Sequence, residues 1–290
     1  MPLKRVPRQL IPLLMGSVDT YIANPAILVP FITLAFIQLL VLEVLYFSPQ
    51  YPLSVFFNPI VHTLWGEEYV HYPNNFLVLP KLFQSVQVFI YVFVSSYLIS
   101  IAVEIIAAIN KDGKCSFAAA SRDAVHQYVH IFVAALIAFC TFLGLFKLYN
   151  LLMLKVLNFS AVDGAYFAAK SIILQGTPIA ILIIGAFTTA LYAFVFPVIM
   201  IGKKRIITAL IQNFRHLWGS FWHVFLIILV PTLFYLPVLI LRHNISGIAS
   251  VTVPEVRVVA LVIGIIVTMF IDATIYTAIT TFYLLKKEHP

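Results

Sequence analysis

Asp272 is the acid whose position most invites chemistry. It lies in the apolar run 256–285, about 13 residues from the end of that run, among Thr268, Thr274, Thr277, Thr280 and Thr281. An unpaired charge in hydrocarbon is costly, so an acid at that depth needs a partner, a proton or water. His223, His130 or a threonine hydroxyl are the candidate partners. A hydrogen-bonded structural acid and a proton or substrate site both fit the pattern. Glu104, in the run 82–109, and Glu43, near the end of the run 26–47, are the other acids at membrane depth. Both sit near enough to an interface for their carboxylates to reach it. Glu68-Tyr69-Val70-His71, with Glu67 and His62 nearby, has the Glu-x-x-His spacing of di-iron bundles. That chemistry needs a second such pair and more carboxylates on facing helices, which the sequence lacks.

Other catalytic signatures do not occur. There is no Gly-x-Ser-x-Gly, no Gly-rich phosphate loop ending in Lys, no His-Glu-x-x-His and no haem-attaching cysteine pair. Cys115 and Cys140 fall at different depths and lack metal-ligand spacing, so both read as packing residues. No cofactor and no metal are expected.

The elements that must position these residues are membrane spans. Between positions 172 and 201, 30 consecutive residues carry no charged side chain. At about 1.5 Å per residue such a run crosses the ~30 Å hydrocarbon core as a helix. Hydrophobic residues make up 62% of the chain and charged ones 10%, against roughly 25% charged in soluble domains. The expectation is an all-α polytopic membrane protein, a single integral membrane domain over 1–290 with about six spans: 26–47, 82–109, 129–146, 172–201, 221–241 and 256–285. With the N-terminus cytoplasmic, Lys4, Arg5, Arg8, Lys111, Lys114, Arg122, Lys203, Lys204, Arg205, Arg215, Lys286 and Lys287 share the inner side, 12 of the 18 basic residues. The positive-inside bias therefore selects cytoplasmic N- and C-termini. The net charge of +7 reads as loops anchored at anionic headgroups on the cytoplasmic side, with no nucleic acid as partner.

Before the fifth span, Ile207, Leu210, Phe214, Leu217 and Trp218 recur at helical spacing, while Lys203, Lys204, Thr208, Gln212, Asn213, Arg215 and His216 fill the other side. That pattern predicts an amphipathic helix lying in the interface, with Trp218 in the aromatic belt. A weaker copy, Phe117, Ala118, Ala124, Val125 and Tyr128, precedes the third span, and a third is expected over 13–22. Three units of interfacial helix, outward span and returning span would make three pseudo-repeated hairpins. The external connection 48–80 holds five prolines and seven aromatics, which suits an outer aromatic belt or a docking site for a protein partner.

Asn24-Pro25-Ala26-Ile27-Leu28-Val29-Pro30, the segment from Thr208-Ala209-Leu210 to Trp218, and the closing Tyr283-Leu284-Leu285-Lys286-Lys287 resemble a broad group of prokaryotic six-span membrane proteins. That group includes the membrane portion of some glycerophosphodiester phosphodiesterases. The catalytic domain and its His-Arg-Gly segment are missing from this sequence, so the resemblance implies no phosphodiesterase activity. It implies an accessory role at a prokaryotic plasma (inner) membrane.

The leading functional expectation is a non-catalytic membrane scaffold or lipid-interacting accessory protein. A small transporter or channel using Asp272 is the alternative, and an integral membrane enzyme the third reading. A polar cavity reaching Asp272 would favour transport.

Overall fold

The computed structural model of the protein describes residues 10–112, 116–158, 170, 173–174, 176–251 and 253–288. The regular structure among them is entirely helical. We number the helices α1 (Leu10–Ala23), α2 (Val29–Tyr46), α3 (Ser54–Trp65), α4 (Asn75–Phe89), α5 (Ser96–Asp112), α6 (Phe117–Asn158), α7 (Thr177–Leu191), α8 (Val195–Gly202), α9 (Ile206–Leu217), α10 (Phe221–Leu233), α11 (Leu236–Val251) and α12 (Val256–Glu288). Five helical stretches are long and apolar enough to cross a membrane, and the bent pair α9 and α10 brings the total to as many as six. The chain is thus an all-α, multi-pass membrane protein.

The spans differ from the expected limits in ways that trace to particular residues. The second begins at Asn75 rather than at position 82, because α4 absorbs Pro80 and runs through a π-helical segment, Ile90–Ser95, into α5. The third is continuous with the amphipathic segment expected before it. Helix α6 starts at Phe117 and runs for 42 residues without a break. It contains no proline and only Gly144, so nothing in its sequence stops the helix. The corresponding segment before α10 does stop: Gly219, at φ 80°, turns the chain, and α9 and α10 meet at 94°. The middle of the three expected units therefore lacks a separate interfacial helix. The fourth span breaks into α7 and α8 at positions 192–194, and the fifth into α10 and α11 at positions 234–235, between Pro231 and Pro237.

Helix α5 is the centre of the bundle. It packs against α2, α6, α8 and α12, and Ile101, Ala102, Val103, Ile105 and Ile106 are buried in succession. Burial against four neighbours demands apolar residues at those positions, while Glu104 on the same helix is only half-buried. Small residues let neighbours approach closely: Ala190 and Ala193 at the α7–α8 break, Ala209 on α9, and Ala273 and Ala278 on α12 are all buried. Helix α6 is peripheral, with Leu148, Leu151, Leu152 and Leu154 exposed as lipid-facing residues would be. Helix α1, the third amphipathic segment foreseen, lays Leu13, Ser17 and Tyr21 against α12 and α10.

The connection 48–80 is mostly helical, comprising α3, a short 3-10 turn at Glu67–Val70 and the start of α4. Val55, Phe56, Ile60 and Leu64 of α3 are exposed.

Candidate functional site

Asp272 lines a partly open cavity of about 410 Å³ bordered by α4, the π-helical segment, α5, α6, α7, α10, α11 and α12. Its polar lining includes Gln87, Tyr91, Tyr235, Arg242, Thr268 and Tyr276. The rest of the wall is aliphatic and aromatic, the usual make-up of a small-molecule site with a few orienting polar groups. Asp272 has no hydrogen-bond or ion-pair partner among the described residues. It is half-buried despite its depth, as expected of a group at a cavity wall.

The expected partners of Asp272 fall elsewhere. His223 is exposed at the start of α10, and His130 lies half-buried on α6; neither lines the cavity. Of the nearby threonines, Thr268 lines it, with its hydroxyl donating to the Gly264 carbonyl at 2.8 Å. Thr277 and Thr280 are fully buried and away from it.

Glu104 belongs to a separate cluster. Its Oε1 is 3.9 Å from Lys203 Nζ, which also donates to Asp123 Oδ2 at 2.6 Å. Lys203 sits past the end of α8 in the left-handed region, at φ 49°, and that turn brings its ammonium between α5 and α6. Glu104 is thus held by a cation across three elements, and its Oε2 is buried without a partner. Glu43 is exposed near the end of α2. Glu67, Glu68, His62 and His71 are exposed on the outer connection.

Helix α9 carries two apolar faces rather than one. Ala209, Leu210 and Leu217 turn toward the bundle, while Ile207, Ile211, Phe214 and Trp218 are exposed along a neighbouring stripe. Lys204, Arg205, Thr208 and Arg215 are exposed as well. A helix with one face on protein, one apolar stripe outward and one polar arc suits a bilayer interface. Asn213, expected on the polar side, is instead fully buried. Its Oδ1 accepts from the Phe194 N–H at 3.0 Å and its Nδ2 donates to the Leu191 carbonyl at 2.7 Å. A broken helix at membrane depth leaves backbone groups that water cannot reach, and this side chain satisfies two of them. Lys286 secures the other end of α9, donating to the His216 carbonyl at 2.5 Å and to Ser220 Oγ at 2.9 Å.

The residue the sequence did not single out is Arg242. Expected in an external connection just past a span ending at position 241, it lies inside α11 and lines the cavity with Asp272. Its guanidinium stands over the Tyr235 ring, 5.7 Å from the centroid. It also packs against Gly264, where a Cβ would collide with it. The available signal was Gly264, but its meaning depends on the packing of α11 on α12.

Fold and site together define a polytopic helical membrane protein with a cavity among its helices that carries a few polar groups on a mainly apolar wall. No family model, no curated protein and no solved structure matches the chain.

Proposed function

We propose that the protein is a small transporter that moves a polar solute through the Asp272 cavity, with Asp272 as the proton- or cation-carrying group. The observation that supports this reading is the cavity itself: about 410 Å³, lined by an unpaired acid, an arginine and several hydroxyls, within helices of membrane-spanning length. Ionisable residues in such positions mark substrate or proton pathways more often than passive packing. Two further features favour it over the scaffold reading. Tyr91 enters the cavity wall from a π-helical segment, a local distortion that recurs at functional sites. The α7–α8 break adjoins a second cavity of about 470 Å³ that shares Gln87, Tyr91, Thr189 and Tyr276 with the first, and broken helices of this kind line transporter sites.

On the same footing we assign the chain to a prokaryotic plasma membrane with both termini cytoplasmic. The support is the excess of basic residues on one side and the sequence resemblance. The outward stripe and basic residues of α9 suit anionic headgroups on that side, and the exposed apolar residues of α3 suit the opposite interface better than a protein partner.

The test is reconstitution into vesicles loaded with a pH-sensitive dye, with a panel of small carboxylates, phosphates and amines supplied outside. At least one solute should accelerate collapse of an imposed pH gradient relative to protein-free vesicles. Rates equal to protein-free vesicles across the panel contradict the proposal.

A further inference from the structure

A third cavity, of about 310 Å³, adjoins the Asp272 cavity and shares Gln87 and Arg242 with it. Its other polar lining residues are Gln84 and Arg257, set among Pro80, Phe83, Ile245 and Leu261. Two guanidiniums and two carboxamides thus converge at one end of the Asp272 cavity. Neither arginine side chain forms an ion pair or a hydrogen bond among the described residues. Arg242 Nε is buried and unpartnered. Its guanidinium stands over the face of Tyr235. Gly264 supplies the room it occupies.

A half-buried guanidinium whose Nε is buried without a partner is costly, and the stacking on Tyr235 offsets only part of that cost. Its planar fork of donors matches the oxygens of a phosphate or a carboxylate, where it can bind through two parallel hydrogen bonds. Gln84 and Gln87 add neutral donors suited to the remaining oxygens.

We propose that Arg242 and Arg257, with Gln84 and Gln87, form an anion-binding subsite at one end of the Asp272 cavity. It takes the phosphate or carboxylate of a ligand whose remainder extends toward Asp272. The inference rests on reading that cavity as a ligand site. The same anionic chemistry arises from a free soluble anion or from the headgroup of an acidic lipid reaching in past Phe83 and Leu261.

The experiment is equilibrium binding to the purified full-length protein in neutral detergent, followed as the rise in melting temperature. The probes are inorganic phosphate, acetate, a short-chain phosphatidic acid and, as control, a short-chain phosphatidylcholine. The subsite predicts a saturable response to phosphate or acetate if the source is soluble, or to phosphatidic acid alone if it is lipid, with none to phosphatidylcholine. Arg242→Gln should weaken the response by about tenfold or more, the loss of a charge-assisted pair, and Arg257→Gln by less. Gly264→Ala serves as a second variant: it displaces the guanidinium while keeping its charge, so it too must weaken binding even if Arg242→Gln fails to fold. No response to any anion, or a response unchanged in Arg242→Gln and Gly264→Ala, overturns the subsite. Binding without flux in the vesicle assay would leave the subsite standing and remove the transport reading, and flux without an anion response would do the reverse.

Discussion

The side-chain amide of Asn213 donates to the carbonyl of Leu191 at 2.7 Å, and its oxygen accepts from the Phe194 N–H, so one residue of α9 bridges the break between α7 and α8. The break needs such a residue, because residues 192–194 leave the helical ladder where the surroundings are Phe194, Val198 and Met200, all fully buried. Asn213→Leu removes both bonds at once and leaves two buried backbone groups unpaired. A loss of about 1–3 kcal/mol for each orphaned group is expected. Thermal unfolding in detergent checks it: a clear drop in melting temperature is the expected result, and a wild-type value would mean that the break is satisfied some other way.

The two apolar faces of α9 predict different responses to a charge. Leu217→Asp buries a carboxylate against the bundle and should destabilise the protein in detergent and in lipid nanodiscs alike. Ile211→Asp puts the charge on the exposed stripe and should matter in nanodiscs, by less than the roughly 2.5–3.5 kcal/mol of a charge at a span centre. Thr208→Asp, on the polar arc, should matter in neither. If Ile211→Asp and Thr208→Asp behave alike in nanodiscs, the outward stripe does not touch lipid.

Lys203 holds Glu104 and Asp123 together, and the two pairs are not equal. The contact with Asp123 is solvent-exposed on both sides and is worth about 0–1 kcal/mol. Glu104 is the more buried acid, 24% exposed, with one oxygen already lacking a partner. Lys203→Met should therefore lower the melting temperature chiefly by abandoning Glu104. Adding Glu104→Gln should recover most of the loss, a coupling that a double-mutant cycle reads directly. Additive losses in the double variant would show that Lys203 acts through Asp123 or the backbone turn instead.

These residues also mark what the sequence made legible. Span composition is a local property, so the helical membrane class could be read from charge-free runs such as 172–201 without tertiary information. The continuity of α6 was legible in principle, since its 42 residues hold no proline, but a polar patch around Arg122 and Asp123 imitates an interfacial helix. Asn213 was misread because helical spacing assigns polar residues to water, whereas its partners are backbone groups of a break some 20 positions upstream. Arg242 was missed for a related reason. Hydropathy ends a span at the first charge, and only the packing of α11 against Gly264 reveals that the helix carries that charge into a cavity. Asp272 could be singled out because its depth alone makes it costly, but its surroundings depend on eight helical segments and could not be derived from its own.

The most direct measurement of the central claim is the solute-driven flux of Asp272→Asn and Asp272→Leu relative to wild type, in vesicles containing equal amounts of folded protein. Asn keeps the size and much of the hydrogen-bonding capacity of the acid and removes only the ionisable proton. If Asp272 carries the proton or cation, both variants lose flux by about tenfold or more while their melting temperatures stay near wild type, a deficit of at least ~1.4 kcal/mol at the barrier. Were Asp272 merely a structural hydrogen-bonding group, worth about 0.6 kcal/mol on average in a membrane, Asp272→Asn would transport like wild type. That result would contradict the account.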